Sequence, residues 1–176
     1  MTRVVPPDDA GPADIGHWVR VEETDDGQRL AEPIFQRRYR ESAPDFPHHV
    51  IAHCRSADDA WLPACYIHFT EIDRMLLGGG ACVDDRVLRR LPGDARESIH
   101  AAGGLYQHTL RWSLQHFAPR CDAIFGYCGD VLAERADLAV GFRKTGFPRL
   151  LAWFPAPLPE ADREALVARA HAASPF

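Results

Sequence analysis

The sequence predicts an α+β domain built on one mixed sheet, mostly antiparallel with one parallel pair, and carrying helices on both faces. Three observations predict it. "WLPACYIHFTEID" and "RMLLGGGACVD" are adjacent strand-like segments that can fold back as a hairpin, with the turn near Glu71 to Asp73. The apolar run "CDAIFGYC" has the composition of a buried strand. Between them lies a helical stripe of Ala102, Tyr106, Leu110, Leu114 and Phe117, and a strand–helix–strand connection makes its two strands parallel.

The elements follow in order. "GHWVRVEET" alternates as a first strand. In "DGQRLAEPIFQRRYRES", Leu30, Ile34, Phe35 and Arg38 have helical spacing, and Pro33 predicts that the regular helix begins near Glu32. "PHHVIAHCR" is a short strand. In the hairpin, Cys65, Ile67 and Phe69 share one face, and Tyr66, His68 and Thr70 the other. Gly78, Gly79 and Gly80 are poor strand formers and predict a bulge or a close backbone approach. "DDRVLRRLP" is one short helix, and "DARE", Asp94 to Glu97, resembles a capping box that opens another.

In "DVLAERADLAVGFRKTG" Asp130 is a good N-cap, and Leu132, Ala139 and Phe142 belong to the apolar stripe. Arg143 and Lys144 suit the C-terminal end, and Gly146 terminates the helix. "PRLLAWF" is a strand whose exposed edge could pair two subunits. Pro159 starts the last helix.

Composition bounds the function. The 176 residues fit a loose leader over 1–15 and one domain over 16–176. A net charge of −5 speaks against a nucleic-acid partner, and "FQRRYR" reads as a solvated helix face. No long apolar run or signal peptide is present, so no membrane partner is expected. The five cysteines form no C-x-x-C pair, which predicts reduced, mostly buried thiols and a cytoplasmic protein. Cys128 has no Cys-His-Asp grouping and reads as a buried thiol. His49 and His53 share one strand face, and His48 and Cys54 the other. Two ligands per face are too few for a metal, and none is expected.

One stretch resists a simple reading. "IHAAGGLYQHTLRW" carries helical periodicity, yet Gly103 and Gly104 cost about 2 kcal/mol there relative to alanines. Either one helix runs on from Asp94 with a bend, or a second helix opens at the glycines and its backbone approaches a ligand closely.

Three segments carry a family resemblance: "AAGGLYQHTLRWSLQHF", "CDAIFGYCGD" and "ERADLAVGFRKTGF". Together with the order of elements over residues 17–156, they resemble the GNAT superfamily of acyl-CoA-dependent N-acyltransferases. The resemblance implies that the parallel pair splays apart, that the pantetheine arm of acetyl-CoA or another acyl-CoA lies in the gap, and that its pyrophosphate rests on amides opening the central helix. It implies cofactor contacts at Cys82 and Val83 on the strand and at His100, Gly103, Gly104 and Leu105 in the loop.

The family's loop pattern is Q/R-x-x-G-x-G/A. Here His100 replaces the long cation and Leu105 the last small residue. Phe142 stands where many members keep a tyrosine that protonates the leaving thiolate, which passes the acid role to Tyr127, Tyr106 or water. Glu71, with Asp73 beside it, is the acid nearest the expected gap and the candidate base toward a small-molecule or peptide amine. A fold of this family that no longer catalyses, kept for ligand binding or interaction, is the alternative. "TEIDRM", with Glu71 and Arg74, also resembles the E-x-S-R-F word of acyl-homoserine-lactone synthases, with Asp73 in place of Ser.

Overall fold

A computed structural model describes residues 15–176. Its strands are β1 (Val19–Glu23), β2 (His48–Arg55), β3 (Trp61–Ile72), β4 (Met75–Val83), β5 (Ala123–Tyr127), β6 (Arg143–Lys144) and β7 (Leu150–Trp153). Its helices are α1 (Gly27–Tyr39), α2 (Asp85–Arg90), α3 (Gly93–Ala101), α4 (Leu105–Phe117), α5 (Val131–Ala139) and α6 (Glu160–Ala173). The strands form one sheet in the order β1-β2-β3-β4-β5-β7-β6. Every neighbouring pair is antiparallel except β4–β5, which runs parallel from Met75–Ala123 to Gly78–Gly126.

The hairpin turns on Asp73 and Arg74, both at positive φ, between the paired Ile72 and Met75. This is the two-residue geometry that matches strand twist. The glycine run does form a bulge: Ile67 pairs with Ala81 and Phe69 with Gly78, so Gly79 and Gly80 together face His68. The face bearing Cys65, Ile67 and Phe69 packs on α3 and α4 through Ile99, Leu110, Leu114 and Phe117. On the opposite face α1 covers Ile51, Tyr66 and Cys82, and α6 covers Leu77, Phe125 and Leu150.

Several helix ends depart from the sequence expectation. α1 begins at Gly27 rather than near Glu32, with Leu30 N–H bonded to the Asp26 carbonyl (3.1 Å). Pro33 lies inside it, on the exposed face, where the Arg29 carbonyl it leaves without a donor can face water. The capping box does not form. Pro92 is the N-cap of α3, and the Asp94 carboxylate accepts instead from the neighbouring Ala95 N–H (2.9 Å).

α5 stops at Ala139 because Gly141, at φ 106°, closes it. Gly141 N–H donates to the Leu138 carbonyl (3.2 Å) and Phe142 N–H to that of Asp137 (3.1 Å), a paired closure that satisfies two orphan carbonyls. Arg143 and Lys144 then form β6 instead of a helix end, and Gly146 terminates nothing helical. Leu132 is 78% exposed, so it lies off the buried stripe, whereas Phe142 is buried beyond the helix end. β7 is flanked by β5 and β6, so "LLAWF" is not the sheet edge it was expected to be.

The glycine pair ends one helix and begins the next. Gly103 N–H donates to the His100 carbonyl (3.0 Å) and Gly104 N–H to that of Ile99 (2.9 Å), the same closure that ends α5. Gly104 then serves as N-cap of α4 at φ 94°, ψ 162°. The continuous-helix alternative is thereby excluded.

One carboxylate ties the first strands to the end of α4. Glu23 accepts from His48 Nδ1 (2.7 Å), His116 Nε2 (2.6 Å) and Arg120 (2.7 Å). Burial alone would raise its pKa, but the bonds from His116, Arg120 and His48 outweigh burial and lower it to about 2.

Two predictions follow from these contacts. Glu23 binds its proton more weakly folded than unfolded, so its stabilisation is complete above the unfolded value near 4.5 and is lost as pH falls toward 2. Denaturant titrations between pH 6 and 2 should show wild type losing more stability than Glu23→Gln. Gly104 occupies a backbone region that only glycine visits freely, so Gly104→Ala should cost about 1–3 kcal/mol in the same assay.

Candidate active site

The parallel pair opens into a gap. β4 and β5 are bonded through Gly78 and Gly126, after which β4 runs on to Val83 while β5 ends at Tyr127. Asp84 N–H donates to the Ala64 carbonyl (2.7 Å), which makes 64 and 84 a hydrogen-bonded pair. Alternation then makes Tyr66–Cys82 bonded, and Ile67–Ala81 and Cys65–Val83 non-bonded. Ala81 and Val83 therefore turn their amides and carbonyls away from β3, into the gap. Cys82 spends its backbone on β3 and buries its side chain under α1. The Tyr39 hydroxyl, from the last residue of α1, donates to the Ala81 carbonyl (2.9 Å).

α4 begins on the Cys65 face. Its first intrahelical bond runs from His108 N–H to the Gly104 carbonyl (3.1 Å), which leaves the Leu105, Tyr106 and Gln107 amides as the open end of the helix. No acid lies in that first turn. Gly103 and Gly104 have committed their own amides to α3, but a Cβ at Gly104 would meet nothing within 4 Å, so the space beside it is clear. His100 is exposed on the last turn of α3. The amides that the geometry offers to an anion are thus those just after the glycines.

On the opposite face the gap is bordered by His68 and Tyr127. Gly79 and Gly80 make a floor without side chains, and a Cβ on Gly79 would fall 2.1 Å from His68 Nε2. Gly80 N–H donates to that Nε2 (3.1 Å), and Phe46 stacks on the ring at 4.2 Å. His68 is 4% exposed, and burial lowers its pKa to about 4. Its Nδ1 has no partner among the described residues. Tyr127, one residue past the last β4–β5 pair, packs against Phe176 at 6.2 Å.

Three side chains form a buried group behind β5. Asp137 accepts from the Tyr106 hydroxyl (2.8 Å) and the Cys128 thiol (2.8 Å) and leans over Gly126. Burial raises the carboxyl and pushes the Tyr106 hydroxyl well above its usual value. The Tyr106 hydroxyl proton is thus directed at Asp137 rather than at the gap. An aspartate between Ala136 and Leu138 carries no pattern that separates it from a surface acid, and neither its partners nor the role of Ala81 could be read from spacing.

Glu71 is not brought to the gap. It sits beside the hairpin turn, bonded to His48 Nε2 (3.0 Å), and the His48 ring packs on Phe117 at the C-terminal end of α4. About 18 Å of helix separates that end from Leu105. Its neighbours in the same word are also in ion pairs, Arg74 with Asp122 and Asp73 with Arg169. All five cysteines are free and buried, and burial pushes the thiols up: Cys54 and Cys82 to about 12, Cys121 to about 11, Cys65 and Cys128 further. Among the described residues no group of three or more His, Cys, Asp or Glu side chains could hold a metal ion, and no helix is long and apolar enough to cross a membrane.

No family model matches the chain, and no curated protein matches it in sequence. Solved structures do. The ribosomal-protein-S18-alanine N-acetyltransferase from Escherichia coli superposes with a TM-score of 0.53 at 9% identity, over 81% of this chain and 97% of that one. YhhK from Escherichia coli, a proposed N-acetyl transferase solved with coenzyme A bound, superposes with a TM-score of 0.48 at 13% identity, over 77% and 98% of the two chains. The mixed sheet with its one parallel pair, and the likeness to the first of these, give this chain the GNAT fold.

Proposed function

We propose that the chain is an acyl-CoA-dependent N-acyltransferase that moves an acyl group, acetyl in the simplest case, from CoA to the amine of a small molecule or peptide. The observation that carries this reading is the gap itself. Ala81 and Val83 offer backbone groups along one wall, and the acid-free end of α4 lies at the mouth. An amide-bearing pantetheine arm finds strand-like partners on that wall. A pyrophosphate finds the Leu105, Tyr106 and Gln107 amides and the positive end of the helix dipole.

In this reading a neutral amine nitrogen adds to the thioester carbonyl carbon. The carbon–sulfur bond breaks as the amide forms, the nitrogen gives its proton to water, and the departing CoA sulfur takes a proton from a side chain that water then reprotonates. Tyr127 is the side chain we assign to deliver that proton, since Tyr106 is committed to Asp137. Glu71 serves the sheet through His48, and the amine loses its proton to water at the mouth of the gap. A binding protein without chemistry is the second reading. It is favoured by Phe142, which is buried and has no hydroxyl to give.

Calorimetric titration with CoA and acetyl-CoA tests the first reading, and free-thiol release in the presence of an amine panel separates it from the second. Val83→Pro removes a donor from the gap without breaking a bond to β3, so it should weaken CoA binding about tenfold. Tyr127→Phe should lower turnover about 10²-fold with CoA affinity unchanged. Glu71→Gln should leave turnover within about twofold of wild type. A large loss there would return the base role to Glu71.

A further inference from the structure

His68 presents an unsatisfied buried donor at the point where the strands part. Its Nε2 accepts from Gly80 N–H, so the ring proton resides on Nδ1. That N–H is buried with no acceptor among the described residues, in a residue only 4% exposed. An unmet buried donor is costly, and chains keep one where something else completes it.

The surroundings are built around this ring. Gly79 is needed to admit it: a Cβ there would overlap Nε2, whereas one on Gly80 would stand at ordinary contact distance from Cε1. Phe46 closes over its face, and Nε2 is anchored to the backbone, so Nδ1 is held in one orientation. The ring also takes up the Gly80 amide, so that N–H is not free to give a ligand.

The location selects the ligand. Gly79 is the first β4 residue beyond the last β4–β5 pair, and His68 covers it on the α1 and α6 side. α4 opens on the other side of the sheet. A chain anchored by its phosphates at α4 and threaded through the gap emerges beside His68.

We propose that the His68 Nδ1–H is the hydrogen-bond donor to the thioester carbonyl oxygen of the acyl donor, a role that rests on the acyl-CoA reading of the gap. Because the donor is neutral and fixed, the bond strengthens as that oxygen gains negative charge during addition of the amine. The acyl group, rather than CoA alone, is then what completes the site.

The test compares acetyl-CoA with CoA in calorimetric titrations. Wild type should bind acetyl-CoA about tenfold more tightly than CoA. His68→Gln can still accept from Gly80 through its carbonyl but carries no donor at the Nδ1 position, and it should bind the two alike. His68→Asn places an amide donor near the Nδ1 position and should keep part of the preference. The His68 imidazole N–H resonance of wild type should move downfield with acetyl-CoA and not with CoA, a readout that does not depend on any variant folding. Equal affinities in wild type with no such shift mean that a water completes His68, and overturn the proposal while leaving the acyl-CoA reading in place. A preference retained by His68→Gln also overturns it. Binding of neither compound by wild type overturns both.

Discussion

β4 and β5 hold together for four residue pairs and then part, and the geometry of the site depends on where that happens. On the β4 side the parting coincides with the bulge, because one extra residue bends the strand and strengthens its local twist. On the β5 side it coincides with Gly126, whose missing side chain leaves room for the Asp137 carboxylate at 3.3 Å from a would-be Cβ. Beyond that point β5 turns toward α5 and β4 continues paired with β3 only. The unpaired backbone of β4 is stable there because the open edge is short and Tyr39 already satisfies one of its carbonyls.

The two faces of the sheet divide the labour around this opening. On one, Leu105, Leu110, Leu114 and Phe117 seat α4 on the sheet, so the direction of its dipole is set by core packing rather than by the loop that precedes it. On the other, α1 and α6 cover separate apolar patches, with the side-chain-free floor of Gly79 and Gly80 lying along β4 between Leu77 and Cys82. Glu23 holds the far end of the same scaffold, where it joins β1 and β2 to the end of α4 through His48, His116 and Arg120.

How much of this was legible varied with the range of the interaction. The two faces of β3 and the existence of the hairpin were readable because a strand has period two and the two segments are adjacent. The turn falls on Asp73 and Arg74 rather than on Glu71 to Asp73, because Glu71 and Ile72 still pair with Leu76 and Met75. The parallel β4–β5 pair followed from connectivity alone. Helix ends were less legible. Gly141 and Gly146 are equally good stops on composition, and only the bonds to Asp137 and Leu138 choose between them. Leu132 fits an apolar stripe by spacing but lies on a turn that nothing covers. At the site, Gly103 and Gly104 marked the correct loop, yet the amides left open belong to the residues after them. Which backbone groups of β4 face the gap depends on a register set by its pairing with β3, and Glu71 was associated with the gap only because its strand neighbours it. Neither is encoded locally.

The five buried cysteines have a practical consequence for measuring turnover. Thiol reagents attack the thiolate, and burial in an apolar interior suppresses that form at all five positions near neutral pH. The folded chain is accordingly a quiet background for a colorimetric thiol assay. Colour that depends on an added amine reports sulfur released from a thioester by transfer, and colour that grows with neither amine nor acyl-CoA present reports molecules opening to solvent, so a single reagent can read both the chemistry and the integrity of the protein.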